Sequence, residues 1–270
     1  MISALVLTYN EEIIISECLE ALHFVDEIIV FDSFSTDNTV AISEAKGANV
    51  IQRTFDNYAN QRNEALKSVS KNTSWILMVD ADEIVTSSLK GEILDIIKST
   101  DAADLYRVRR KDMFQGKWLK YSSGYPTWFP RLFKNGEVKV EREINEEYFT
   151  NGKIGHLNEH LIHYPFNKGL NWWFQKHNIY SDMEVEEMIS ENTKSLNFRL
   201  LFSSDPVERR KFFKRLSFRI PFRPQLVFFI LFFFKMGFLD GYAGYNFCRM
   251  RKIYETMIDI KLKYRLLNVY

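Results

Sequence analysis

Asp80-Ala81-Asp82 closes the apolar run Trp75-Ile76-Leu77-Met78-Val79, so both carboxylates leave the end of what reads as a buried strand. Hard carboxylate oxygens at that spacing suit Mg²⁺ or Mn²⁺, ions that also take phosphate oxygens. Two further polar groups follow apolar runs: Thr8-Tyr9-Asn10-Glu11 after residues 2–7, and Asp32 after residues 27–31. Ligands of open parallel sheets bind outside the carboxyl ends of the strands, so these groups gather at one rim. Neither G-x-x-x-x-G-K-[ST] nor G-x-G-x-x-G occurs, which argues against a P-loop or a dinucleotide site. The pattern favours a nucleoside diphosphate held by a cation and side chains. A diphosphate leaving group needs that help, because negative charge grows on it as its bond breaks.

Those strand ends need a sheet to position them, and the first hundred residues read as one. Apolar runs at 2–7, 27–31, 49–52 and 75–79 alternate with helical spacing. The helices are carried by Ile13, Ile14, Glu17, Cys18 and Ala21, and by a stretch capped near Asp37, reaching Lys46 and closed by Gly47. Residues 58–69 and a stretch capped by Thr86 or Ser87 and reaching Lys98 supply the rest. Strands and helices alternating at this pitch predict an α/β, doubly wound, mostly parallel sheet. Beyond residue 100 the rhythm loosens, and 105–109, 131–134 and 161–164 read as strands of a mixed sheet. From Leu170 the chain turns helical, with a linker at Ser203-Ser204-Asp205-Pro206 and a last helix over 245–264.

Composition narrows the class. With 46% hydrophobic and 26% charged residues in 270, the chain is an ordinary globular protein, and a net charge of +1 gives no general attraction to nucleic acid. Two cysteines, Cys18 and Cys248, make no disulfide framework and suit a reducing cytosol. No signal peptide is expected, since the first apolar run follows Met1 without a basic flank.

The ordered segments Thr8-Tyr9-Asn10-Glu11-Glu12, Asp32-Ser33-Phe34-Ser35-Thr36-Asp37, Asn60-Gln61-Arg62-Asn63 and Asp80-Ala81-Asp82-Glu83 resemble the motifs of glycosyltransferase family 2. Arg131-Leu132-Phe133-Lys134, Leu161-Ile162-His163-Tyr164 and Gly237-Phe238-Leu239-Asp240-Gly241 resemble its bacterial branch that adds a hexose to lipopolysaccharide core. The resemblance implies a GT-A, Rossmann-like mixed sheet, mostly parallel, with a helical C-terminal extension. It implies a catalytic domain over 1–168, with a nucleotide-sugar half to about residue 100 and an acceptor half beyond it, and a basic, aromatic region over 169–270. The implied activity is inverting transfer of a hexose from a UDP-hexose to a glycan or glycolipid acceptor, with Mn²⁺ or Mg²⁺ as cofactor. By the same resemblance Tyr9 and Glu11, in the cluster with Thr8 and Asn10, line the nucleoside pocket and Asp32 bonds the base. Arg62 lies near the base or diphosphate, Asp80 with Ala81 faces the ribose or donor sugar, and Asp82 binds the metal. His163 is the candidate for a further metal ligand, the other reading being a histidine that only hydrogen-bonds in the core, and Arg131 is expected on a donor diphosphate or acceptor phosphate. Inversion needs a base opposite the leaving group. The related branch carries a His-Glu pair here, but Asn145 replaces the His. Glu146 is therefore the expected base, with Glu143 and Glu147 left open.

Late in the chain Arg209, Arg210, Lys211, Lys214, Arg215, Arg219 and Arg223 interleave with phenylalanines. The apolar run 226–234 is shorter than the roughly 20 residues of a spanning helix. An interfacial segment on anionic head groups is the favoured reading, giving a cytoplasmic protein peripheral on the inner face of the membrane. Packing of the Phe-rich run on the catalytic domain is the other, and the last helix can equally support a homo-oligomer. Two other function classes remain. A sugar nucleotidyltransferase calls for a Gly-rich basic loop where Tyr9-Asn10-Glu11-Glu12 is acidic. A non-catalytic glycan- or membrane-binding module would not need both Asp80 and Asp82.

Overall fold

The computed structural model describes residues 1–141, 147–192 and 222–267. In chain order the first elements are β1 (Ile2–Thr8), α1 (Ile15–Ala21), β2 (Glu27–Asp32), α2 (Thr39–Ala45), β3 (Asn49–Gln52), α3 (Tyr58–Lys67) and β4 (Trp75–Asp80). Then come β5 (Glu83–Val85), α4 (Ser87–Ile96), β6 (Leu105–Phe114), β7 (Lys117–Trp118), β8 (Trp128–Lys134), β9 (Lys139–Glu141), β10 (Glu147–Phe149) and β11 (Ile154–His163). Among the described residues three helices follow: α5 (Gly169–Asn192), α6 (Arg223–Phe229) and, after a π segment Ile230–Phe234 and a 3-10 turn Gly237–Asp240, α7 (Gly241–Leu267). The chain divides into two compact units, Met1–Met113 with Tyr125–Lys168, and Phe114–Gly124 with Gly169–Tyr270.

The sheet of the first unit runs β3-β2-β1-β4-β8-β6-β11-β5. Its first four strands are parallel, β8 is antiparallel to β4 and β6, β11 is parallel to β6, and β5 lies antiparallel on β11. This is the expected mixed, mostly parallel α/β sheet. The apolar runs are near-continuous because both faces are covered. Ala4, Val6, Val30, Leu77 and Val79 point to one face, where α1 and α4 contribute Ile15, Leu19, Leu89 and Ile93. Leu5, Ile29, Phe31, Ile76 and Met78 point to the other, against Ala59 and Ala65 of α3.

Helix starts follow local chemistry. Thr86 Oγ1 accepts from the Leu89 N–H at 3.2 Å and so caps α4, while Asn57 caps α3 through the Asn60 N–H at 2.8 Å. The later strands are longer than their apolar runs suggested, because Arg107, Arg109 and Lys111 alternate with inward residues and mask the pattern in β6. The three-residue β5 was not foreseen at all.

In the second unit, Asp240 ties the segment Phe114–Gly124 to the C-terminal helices. Its buried carboxylate accepts from the N–H groups of Lys120, Tyr121 and Ser122 at 3.1, 3.0 and 2.8 Å, and from Ser122 Oγ at 2.6 Å. The stretch 237–240 is a 3-10 turn that ends on Gly241 at φ 66°. Gly244 lies so close to it that a Cβ would stand 2.2 Å from the Gly237 carbonyl oxygen.

Gly244→Ala is therefore expected to lower stability by about 2 kcal/mol or more, since backbone must move. Gly91 in α4 has nothing within 4 Å of its Cβ position. Gly91→Ala should leave stability unchanged or raise it by up to about 1 kcal/mol. Urea unfolding of the two variants beside the parent checks both signs.

Candidate active site

Parallel register brings the expected rim together. Thr8 pairs with Asp32, and Leu7 with Asp80, so the ends of β1, β2 and β4 lie side by side. The Ala81 N–H donates to the Leu7 carbonyl at 3.0 Å, which turns the chain outward just before Asp82.

Behind this rim runs a chain of ionised side chains. Arg131 of β8 is only 3% exposed, and its Nη2 donates to Asp80 Oδ2 at 2.7 Å. Its Nε and Nη2 also donate to the two oxygens of Glu83, both at 2.8 Å. Arg62 Nη2 reaches the other Asp80 oxygen at 2.9 Å. Glu83 accepts from the Asp80 N–H at 3.1 Å and faces Arg110 Nη1 at 3.4 Å. Arg110 Nε donates to Asp112 at 3.1 Å, and the same Asp112 oxygen lies 2.7 Å from His163 Nδ1. His163 Nε2 then faces Asp82 Oδ2 at 3.3 Å. Of this set, Asp80 and Asp82 keep the most side-chain exposure, 28% and 22%.

The charge states follow from the packing. Burial works against ionisation of Asp80, but Arg62 and Arg131 outweigh it and hold the carboxyl well below the usual range. Burial also opposes ionisation of Asp82, and the facing His163 lowers it overall. His163 loses solvation, which disfavours the imidazolium, yet Asp82 and the hydrogen bond to Asp112 push it up to about 9. Glu11 is raised by burial and by the charge of Asp82, with Lys168 acting against both.

The remaining sequence candidates occupy distinct positions. Tyr9 is 48% exposed. Asn10, at φ 54°, donates its N–H to Ser35 Oγ at 2.8 Å and accepts from the Thr36 N–H at 2.7 Å, linking the loops after β1 and β2. Glu11 pairs with Lys168 at 2.7 Å, and Lys168 also donates to the Tyr9 carbonyl. Asp32 is wholly buried below the rim, where the Ser35 N–H at 2.8 Å, Ser35 Oγ and Gln52 Nε2 at 2.9 Å donate to it. Arg131, expected on a phosphate, has its guanidinium on Asp80 and Glu83. Glu143 and Glu146 lie outside the described residues, and Glu147 opens β10 opposite Glu141. Sequence reasoning assigned no part to Glu83, Arg110, Asp112 or Lys168. Glu83 stood inside a quoted motif, but nothing in the sequence marked the other three.

A family model for glycosyl transferase family 2 matches residues 3–156, more than half of the chain. The chain belongs to glycosyltransferase family 2. An uncharacterized glycosyltransferase of Rickettsia felis is 30% identical over 96% of this chain and 92% of its own length. The lipopolysaccharide core biosynthesis glycosyltransferase LpsC of Rhizobium meliloti is 23% identical over 94% and 92%. Among solved structures, glucosyl-3-phosphoglycerate synthase of Mycobacterium tuberculosis, in complex with Mn²⁺, UDP-glucose and phosphoglyceric acid, is 23% identical with a TM-score of 0.35. That match covers 43% of this chain and 44% of the other, less than half of either.

Two side chains at the rim of this transferase are of the type that bind a divalent cation. Asp82 Oδ2 and His163 Nε2 face each other, and the second ring nitrogen is held by Asp112, the arrangement that orients a metal-binding imidazole. No group of three or more such donors surrounds one point among the described residues. A cation here would complete its shell from substrate oxygens and water, as Mg²⁺ and its relatives do with phosphates.

Two outcomes follow for the glycosyltransferase in the presence of chelator. The folded value of His163, about 9, lies above the ordinary 6.5, so its contribution is complete below pH 6.5 and is lost as pH rises through 9. Urea unfolding should show up to about 3 kcal/mol of stability lost across that window, and His163→Gln should flatten it. Glu83→Gln should destabilise by about 3 kcal/mol, because Arg131 stays buried with its charge half-compensated.

Proposed function

We propose that this protein transfers a hexose, with inversion, from a UDP-hexose to a bacterial surface-glycan acceptor such as lipopolysaccharide core, at the cytoplasmic face of the membrane. The reading rests on one observation: an ionised Asp82 facing His163 at 3.3 Å, beside an Asp80 held by two guanidinium groups. Family membership and the relative LpsC support it.

In this reading Asp82 and His163 hold Mn²⁺ or Mg²⁺, which when bound supplies positive charge to the departing diphosphate. Asp80 accepts hydrogen bonds from donor hydroxyls on the ribose or the sugar. Arg62 and Arg131 keep it ionised and fixed, so its acceptor orbitals stay aimed without reorganisation. Asp112 orients the His163 ring, and Lys168 anchors the Tyr9-to-Glu11 loop of the nucleoside pocket. Glu146 takes the proton from the acceptor hydroxyl, with Glu143 and Glu147 as neighbours that can replace it by register.

The test is thermal shift with a panel of nucleotide sugars, with and without Mn²⁺. A UDP-hexose is expected to stabilise the parent only when metal is present. Asp82→Ala should remove that dependence and lower transfer by about 10²-fold or more while unfolding normally. Glu146→Gln should keep the shift and lose turnover. Full activity in Asp82→Ala would overturn the metal assignment, and no shift with any donor would favour a binding module.

A further inference from the structure

The last helix turns an apolar stripe outward. Tyr242, Tyr245, Ile253, Ile260 and Tyr264 follow one another at spacings of three, eight, seven and four residues along one face of α7, and all are exposed. The opposite face, with Cys248, Tyr254, Glu255 and Ile258, is the buried one. The stripe continues onto α6 and the π segment, where Phe228 and Phe232 meet Tyr245 at ring distances of 6.2 and 5.8 Å. Beyond them Phe229, Phe233 and Phe234 project, Phe234 being 82% exposed. Soluble monomers rarely leave so continuous an apolar face uncovered.

The cations on this face decide what covers it. A groove of 520 Å³ lies between Phe228 and α7, with Arg249 and Lys252 among its walls and Ile253 and Met257 beside them. Arg249 stacks over Tyr245 at 5.5 Å, and neither it, Lys252 nor Lys235 at the bend forms an ion pair among the described residues. A second copy packed on this face by two-fold symmetry would bury the cations of both copies in one interface. Acyl chains below and anionic head groups above satisfy both the apolar and the cationic parts at once. Among the described residues no single helix is long and apolar enough to cross a membrane. Arg223–Phe234 and Gly237–Leu267 pass together but are bent by 73°. A bent pair with one apolar face suits lying in the interface.

We propose that the outward face of α6 and α7 docks on an anionic lipid bilayer, with Phe229, Phe233, Ile253 and Ile260 in the acyl boundary and Arg249, Lys252 and Lys235 on lipid phosphates. The inference uses no part of the catalytic rim, so its failure and that of the transferase reading are separable.

The full chain is sedimented with vesicles of phosphatidylcholine alone, or of phosphatidylcholine with one-third phosphatidylglycerol, without nucleotide. Binding is expected to the anionic vesicles only. The double variant R249E/K252E should weaken it about 25-fold or more, from a factor of about five for each cation lost near the surface. A spin label at Ile260→Cys should become inaccessible to aqueous relaxant on binding, while a label at Lys90→Cys on α4 stays accessible. Both native cysteines are buried and leave those labels selective. Equal binding to neutral vesicles, no effect of R249E/K252E, or an Ile260→Cys label that remains in water would overturn the proposal. A dimer in vesicle-free solution whose interface immobilises that label would assign the face to a second copy instead.

Discussion

A buried guanidinium between two carboxylates governs the site. Asp80 ends β4 and Glu83 opens the next strand, β5, whereas Arg131 comes from β8, far along the chain from both. Charges taken out of water at these positions are tolerable only when all three meet with good geometry. Such a group contributes little net stability over well-packed apolar side chains, and its effect lies in geometry. It sets Asp80 relative to β8 and, through Arg110, Asp112 and His163, ties Asp82 to the same frame. The two carboxylates of Asp80-Ala81-Asp82 are thus positioned from opposite ends of one ionic chain.

That chain also gives them different surroundings. Asp80 faces two guanidinium groups and has its charge neutralised from within the protein. Asp82 faces the His163 imidazole instead, a partner that can be deprotonated, whereas a guanidinium cannot. Adjacent carboxylates of one motif therefore take on different chemistry through different partners. Asp112 and Lys168 act indirectly, the one by holding the His163 ring and the other by holding the Tyr9 carbonyl.

The second unit is organised by Asp240, whose carboxylate gathers three backbone N–H groups of the Phe114–Gly124 segment and one hydroxyl. Gly237 and Gly244 permit the close approach that puts Asp240 there. With the polar groups satisfied internally and the small residues inside, Phe229, Phe233 and Phe234 and the tyrosines Tyr242, Tyr245 and Tyr264 are left exposed. The phenylalanine bias of the late chain is in this sense a surface property of the described helices, not a core one.

Much of the first unit was legible in the sequence because burial on both sheet faces forces unbroken apolar runs, and Asp80, Asp82, Thr8 and Asp32 stand at their ends. Short-range chemistry likewise marked the helix start at Thr86. What the sequence could not supply were pairings between distant charges. Arg131 reads as a phosphate ligand when its partners are unknown, yet only the antiparallel return of β8 beside β4 places it on Asp80 and Glu83. Asp112 and Arg110 lie in a strand whose alternating charges conceal its length, and their role exists only because β11 runs parallel to β6 and presents His163. Local composition decides which segments become strands and helices, since that depends on neighbours a few residues away. Which charges neutralise one another depends on strand order and register, and those are decided by the tertiary structure alone.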